Sequence, residues 1–88
     1  MVIKQLEILN ELGIHARVAS RIVREARIFS SSIAAKKEGK VFDFKNVTGV
    51  ITVNAKRGDI LDMEFDGADE EAASMAFEKL FADKFGEK

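Results

Sequence analysis

The chain has 88 residues, 47% hydrophobic and 33% charged, with a net charge of −1. That balance describes a single domain over residues 1–88, large enough to hold a core without staples and too apolar to be disordered. The absence of cysteine excludes disulfides, thiol catalysis and Cys-based zinc sites, and a single histidine argues against a transition-metal site, so neither metal nor cofactor is expected.

No stretch approaches the roughly 18 apolar residues of a membrane span, and the N-terminal residues lack the charged-then-apolar layout of a signal peptide. The expectation is a cytoplasmic protein with no membrane insertion. The near-neutral total hides an asymmetry: residues 1–58 hold 11 Lys/Arg against 5 Asp/Glu, whereas residues 59–88 hold 3 against 10.

The segment Val2–Leu9 alternates imperfectly, Leu6 and Ile8 on one side and Gln5 and Glu7 on the other, which predicts a strand. Asn10–Gly13 then forms a loop leading to His15. From Ala16 the period becomes helical, with Ala19, Ile22, Val23 and Ala26 on one face. The serine run Ser30–Ser32 favours turns, so the helix is expected to stop near Ile28 or Phe29.

A hairpin follows. Ile33 and Ala35 point to the same side as Phe42 and Phe44, and Glu38-Gly39 supplies the tight turn. Asn46, a strong N-cap residue type, is expected to start a short helix over Val47–Ile51. Lys56–Asp59 marks a turn, and Leu61, Met63 and Phe65 alternate with Asp62, Glu64 and Asp66 as a half-buried strand. Asp69 is expected to cap the last helix, with Glu70 and Glu71 at its positive end. Ala73, Ala76, Phe77, Leu80 and Phe81 form its buried face, and Gly86 its stop.

The order β-α-β-β-α-β-α predicts an α+β fold: an open-faced β-sandwich, in which a four-stranded antiparallel sheet is covered on one face by three helices. Phe42, Phe44, Phe65, Phe77 and Phe81, five of the seven phenylalanines, fall on predicted core faces.

The chemistry gathers at Gly13-Ile14-His15-Ala16-Arg17. A helix start offers unpaired N–H groups and a partial positive charge, which together hold an anion such as phosphate. An imidazole there can take up a phosphoryl group, the positive helix end favouring its neutral, nucleophilic form, and Arg17 adds a fork-shaped cation for phosphate oxygens. Arg17, Arg21 and Arg24 fall at i, i+4 and i+7 as an outward stripe extended by Arg27, with only Glu25 opposing them between residues 15 and 29. Such a stripe suits an acidic protein partner and acts mainly on encounter and orientation. A nucleic-acid partner is disfavoured by the acidic total, the absence of Tyr and Trp, and the placing of most phenylalanines in the core.

These motifs, with the hairpin Glu38-Gly39-Lys40, the run Lys45-Asn46-Val47-Thr48-Gly49-Val50 and Gly67-Ala68-Asp69-Glu70, resemble the HPr family, the histidine-containing phosphocarrier proteins of the phosphoenolpyruvate-dependent phosphotransferase system. The resemblance spans essentially the whole chain and implies a carrier, itself transiently phosphorylated, rather than an enzyme. His15 would accept a phosphoryl group from phosphorylated enzyme I and pass it to EIIA-type acceptor proteins. Arg17 and the N–H groups opening the helix, Ala16 first, would hold the phosphate. Arg21, Arg24, Val47 and Ile51 would meet the partners, and a monomer would suit such a shuttle.

The chain departs from the family pattern at Val18, where proline is usual, at Leu12, where a small polar residue is usual, and at Asn46. Many relatives carry at that last position a serine phosphorylated by a regulatory kinase; asparagine can cap the short helix but cannot take the phosphate. These departures leave open an alternative: a regulatory interaction module of the same fold, in a nitrogen-type or incomplete phosphotransferase chain, not dedicated to sugar import.

Overall fold

A computed structural model describes residues 1–87. Strand β1 (Val2–Glu7) leads to helix α1 (Ala16–Ala26), the hairpin β2 (Ser32–Lys37) and β3 (Lys40–Asp43), the short helix α2 (Val47–Thr52), strand β4 (Ile60–Asp66) and helix α3 (Glu70–Ala82). The four strands form one sheet in the order β1-β4-β2-β3, with every neighbouring pair antiparallel. One sheet face is packed against the helices and the other is open.

Strand alternation decides which side chains enter the core. Leu61, Met63 and Phe65 of β4 are fully buried beside Ile33 and Ala35 of β2, paired as Phe65 opposite Ile33 and Met63 opposite Ala35. Their intervening neighbours Asp62 and Glu64 lie on the open face. Val18, Ala19, Ile22, Val23 and Ala26 of α1 and Ala73, Phe77, Leu80 and Phe81 of α3 close the core from above. The Phe65 and Phe77 rings meet edge to face at 5.6 Å, a geometry aromatic quadrupoles favour.

Several boundaries differ from the expected ones. β1 ends at Glu7 rather than Leu9, because Ile8 bonds instead to the turn before β4, donating to the Asp59 carbonyl and accepting from Gly58, each at 2.8 Å. α1 ends at Ala26, short of Ile28: the N–H groups of Ile28 and Phe29 turn back to the Glu25 and Ala26 carbonyls, tightening the last turn. On α3, Ala76 is only half-buried and Ser74 is buried instead, its hydroxyl satisfied by the Glu71 carbonyl at 2.8 Å. The Glu38-Gly39 turn is as expected, both residues having positive φ (53° and 79°), the requirement of a two-residue hairpin.

Asp69 begins α3 by position, yet its side chain makes no capping bond. It reaches instead to the loop before β2, accepting from the N–H groups of Ser30 and Ser31, each at 2.9 Å, and from the Ser31 hydroxyl. The Ser31 hydroxyl first, with the Ser30 N–H, lowers its carboxyl pKa to about 2.

Beyond α3 the chain reverses sharply. Lys84, Phe85 and Gly86 all have positive φ (55°, 56° and 79°), a conformation costing about 1–2 kcal/mol per non-glycine residue. Burial of Phe85, against the Phe81 ring at 4.8 Å, offsets this with about 1.5–3 kcal/mol. Phe85 thus joins the core, and Phe29 packs against its rim, so the phenylalanines outside the predicted core faces also serve packing. The reversal also sends the last described residue, Glu87, back towards the start of α1.

Candidate phosphoryl-carrier site

His15 sits at the N-cap position of α1 with extended backbone (φ −120°, ψ −178°), and its carbonyl accepts the first helical bond, from Ala19 at 2.8 Å. Its side chain makes no capping bond and the first turn holds no acidic residue. The first-turn N–H groups, those of Ala16 and Arg17 among them, therefore point outward uncapped by the imidazole.

The approach to His15 is fixed by Gly13. Its φ is +68°, and an added Cβ would lie 2.7 Å from the Ala55 carbonyl oxygen. This close passage lets the Ile14 N–H bond the same carbonyl at 3.0 Å, which ties the loop before α1 to the segment after α2.

The ring's Nε2 meets the carboxylate of Glu87, 3.1 Å from Oε1 and 3.0 Å from Oε2. Arg17 approaches the same carboxylate at 3.5 Å, with its own side chain largely in solvent. Asn10, fully buried, donates through Nδ2 to Glu87 Oε1 at 3.0 Å and to the Gly13 carbonyl at 2.7 Å. Both neighbours are acceptors, which fixes the amide orientation. The His15 hydrogen bond first, then the bond from Asn10 and the charge of Arg17, hold the Glu87 carboxyl below the usual carboxylate range against its partial burial.

The arginine stripe is less uniform than its spacing suggests. Arg17 and Arg24 are exposed, but Arg21 pairs with Glu25 at 2.9 Å, and Arg27 donates to the Lys45 carbonyl at 3.2 Å, tying α1 to the start of α2. Between the stripe and the C-terminal reversal lies a groove of about 330 Å³, bordered by Arg17, Arg21, Arg24, Phe85 and Glu87.

Helix α2 packs beside α1. Asn46 caps it, its side chain accepting from the Thr48 N–H at 2.8 Å. Val50 is fully buried, whereas Val47 and Ile51 are 39% and 45% exposed, so the helix divides into a core side and an apolar outer side. Leu12, in the loop before His15, is exposed as well.

The spacing that puts His15 and Arg17 at the start of α1 is met in the structure, where both side chains reach one carboxylate. Asn10 and Glu87 join them without a local signal: Asn10 is a polar residue before a glycine turn, and the contact of Glu87 with His15 spans 72 residues.

The arrangement offers a ring nitrogen as nucleophile, a helix start for an anion and a nearby guanidinium. Residues 2–83 match the family model described as PTS HPr component phosphorylation site. This chain belongs to the HPr family. The phosphocarrier protein HPr of Treponema pallidum (strain Nichols) is 39% identical over 88 residues, all of both chains. Among solved structures, HPr-C-His from Thermoanaerobacter tengcongensis superposes with a TM-score of 0.95 at 35% identity, covering 100% of this chain and 99% of that one. An HPr dimer from the same organism matches with a TM-score of 0.78 at 36% identity, over 93% and 94% of the two chains. The fold is therefore the HPr fold, and the chain is an HPr-type phosphocarrier of the phosphotransferase system.

Among the described residues, no cluster of His and acidic side chains has the geometry of a metal site, and no helix is long and apolar enough to cross a membrane.

Proposed function

We propose that His15 is the phosphoryl acceptor: it takes the group from phosphorylated enzyme I and passes it to EIIA-type acceptor proteins in the cytoplasm. The observation that carries this reading is the imidazole at an uncapped helix start beside Arg17, in a chain matched by the family's phosphorylation-site model. Attack by a ring nitrogen places a dianionic group near the N–H groups of Ala16 and Arg17 and within reach of the Arg17 guanidinium, whose hydrogen bonds to phosphate are charge-assisted. A few such contacts hold the group without trapping it.

Arg21, Arg24, Val47 and Ile51 form the partner surface in this proposal, cations on α1 beside the exposed apolar side of α2. Electrostatic steering sets encounter and orientation while the apolar pair supplies contact area. A monomer is the working form, since donor and acceptor must use the surface in turn. Asn46 removes the hydroxyl on which a kinase could act there, leaving that position as a helix cap only.

The test is incubation of the full chain with enzyme I and labelled phosphoenolpyruvate, then with EIIA-type acceptors. The parent gains an acid-labile, base-stable phosphate and loses it to an acceptor, while His15→Ala gains none. Undiminished label in the variant, or none in the parent, removes the reading.

A further inference from the structure

We propose that Lys37 is a positioning residue for transfer to acceptor proteins: its ammonium closes the C-terminal end of α2 and so holds the apolar outer side of that helix in place for docking. The proposal rests on the carrier reading above and deepens it, naming what keeps the partner surface ordered.

Lys37 follows Ile33 and Ala35 on the core-facing side of β2, a register at which strand alternation calls for an apolar side chain. A cation placed there must find acceptors as it leaves water. Its side chain is 26% exposed, and its three N–H donors meet three oxygens: the Val53 carbonyl at 3.4 Å, the Asn54 carbonyl at 3.3 Å and Asp59 Oδ2 at 3.3 Å. The two carbonyls lie at the end of α2, where a helix runs out of N–H partners and its dipole is negative. Asn54, with φ of 52°, is the left-handed residue that stops the helix. A helix of six residues does not hold by itself. Asn46 fixes its first turn and Lys37 its last.

The same ammonium reaches beyond the helix. Asp59 also accepts from the Lys56 N–H at 2.9 Å, and that bond first, then Lys37, holds its carboxyl below the usual carboxylate range. Ala55 is thus fixed on both sides, by the Asn54 carbonyl before it and by the Lys56–Asp59 turn after it. Its own carbonyl accepts from the Ile14 N–H at 3.0 Å. Lys37 therefore joins β2, the end of α2 and the segment against which the loop before α1 rests. Without the ammonium, Val47 and Ile51 are still present, but their helix loses its last-turn anchor. A surface that must be ordered at each encounter binds more weakly, while the chemistry of the ring is untouched. The signature is a change in KM and not in kcat.

The experiment compares the full-length parent with three variants. Lys37→Met keeps the apolar stem and removes the charge, and Lys37→Arg keeps a cation with donors. Phe77→Leu, in the core beneath α3, loses stability away from α2. The first measurement is amide exchange by NMR. In Lys37→Met the N–H groups of Val53, Asn54 and Ile14 exchange about tenfold faster relative to those of β4, and Lys37→Arg restores most of their protection. The second is transfer from the phosphorylated chain to an EIIA-type acceptor. KM rises about fivefold in Lys37→Met with kcat within about twofold, Lys37→Arg lies near the parent, and Phe77→Leu leaves KM unchanged. Unchanged protection of the three amides in Lys37→Met, a KM equal to the parent's, or an equal rise in Phe77→Leu overturns the proposal. A parent that takes no phosphate removes the carrier reading and the docking role with it, whereas the amides still decide whether Lys37 closes the helix.

Discussion

Gly49 is the point at which the proposed apolar partner surface depends on a missing side chain. It lies inside α2, and an ideal Cβ there would stand 2.3 Å from the Asp43 carbonyl oxygen and 3.2 Å from the Asp43 carbonyl carbon and nitrogen. Carbon–oxygen contacts settle at about 3.3–3.6 Å, so Gly49→Ala must open a gap of roughly 1 Å between α2 and the end of β3. The obstruction is backbone, with no flexible side chain to swing aside. Overpacking of this kind costs about 1–3 kcal/mol, and the helix propensity of alanine returns at most about 1 kcal/mol. A net loss of about 1.5 kcal/mol lowers the melting temperature by roughly 6–12 °C in a domain of this size. The displacement also lifts Val50 from the core and moves Val47 and Ile51, so transfer to acceptor proteins weakens while His15 remains chemically intact. Calorimetry, amide NMR and the transfer assay read these effects separately. Gly39→Ala is the control for displacement: nothing lies within 4 Å of its Cβ, and its φ of +79° costs about 1–2 kcal/mol locally without moving α2. A Gly49→Ala protein that melts with the parent, or above it, would refute the packing argument.

Two further perturbations test other joints of the fold. Asn46→Ala removes the acceptor for the Thr48 N–H and costs about 1 kcal/mol by urea unfolding, whereas Asn46→Ser or Asn46→Asp keeps a cap and most of the stability. Asp69 has a folded pKa of about 2, below its ordinary 3.8, so its contribution is complete above the ordinary value and is lost as pH falls through the folded one. The gap in urea midpoint between parent and Asp69→Asn is therefore constant at neutral pH and narrows below about pH 4; a gap independent of pH would show that the serine contacts do not stabilise the charged carboxylate.

Much of this protein was legible along the chain. The alternation of Leu61, Met63 and Phe65, the helical spacing of Ala19, Ile22, Val23 and Ala26, the Glu38-Gly39 turn and the Asn46 cap are local patterns, and each reports burial or backbone geometry within a few residues of itself. His15 at a helix start is equally local, which is why the candidate site is legible without the fold. Asp69 shows the limit of such signals: its residue type suits a cap, but two serine N–H groups brought close across 38 and 39 residues compete for the carboxylate and win it. The same holds for Arg21 and Arg27, whose spacing marks a stripe but whose partners decide how much free charge it presents.

By itself the sequence determined the order of elements, the face each buries and the place of the proposed acceptor His15 at a helix start, because periodicity and capping act over one or two turns. Only the tertiary structure decided what stands beside that histidine. The meeting of His15 with Glu87 depends on a backbone reversal through Lys84 and Phe85, two residue types that do not favour positive φ and are held there by burial of the Phe85 ring. No pattern along the chain encodes a conformation that is locally unfavourable and stabilised by distant packing.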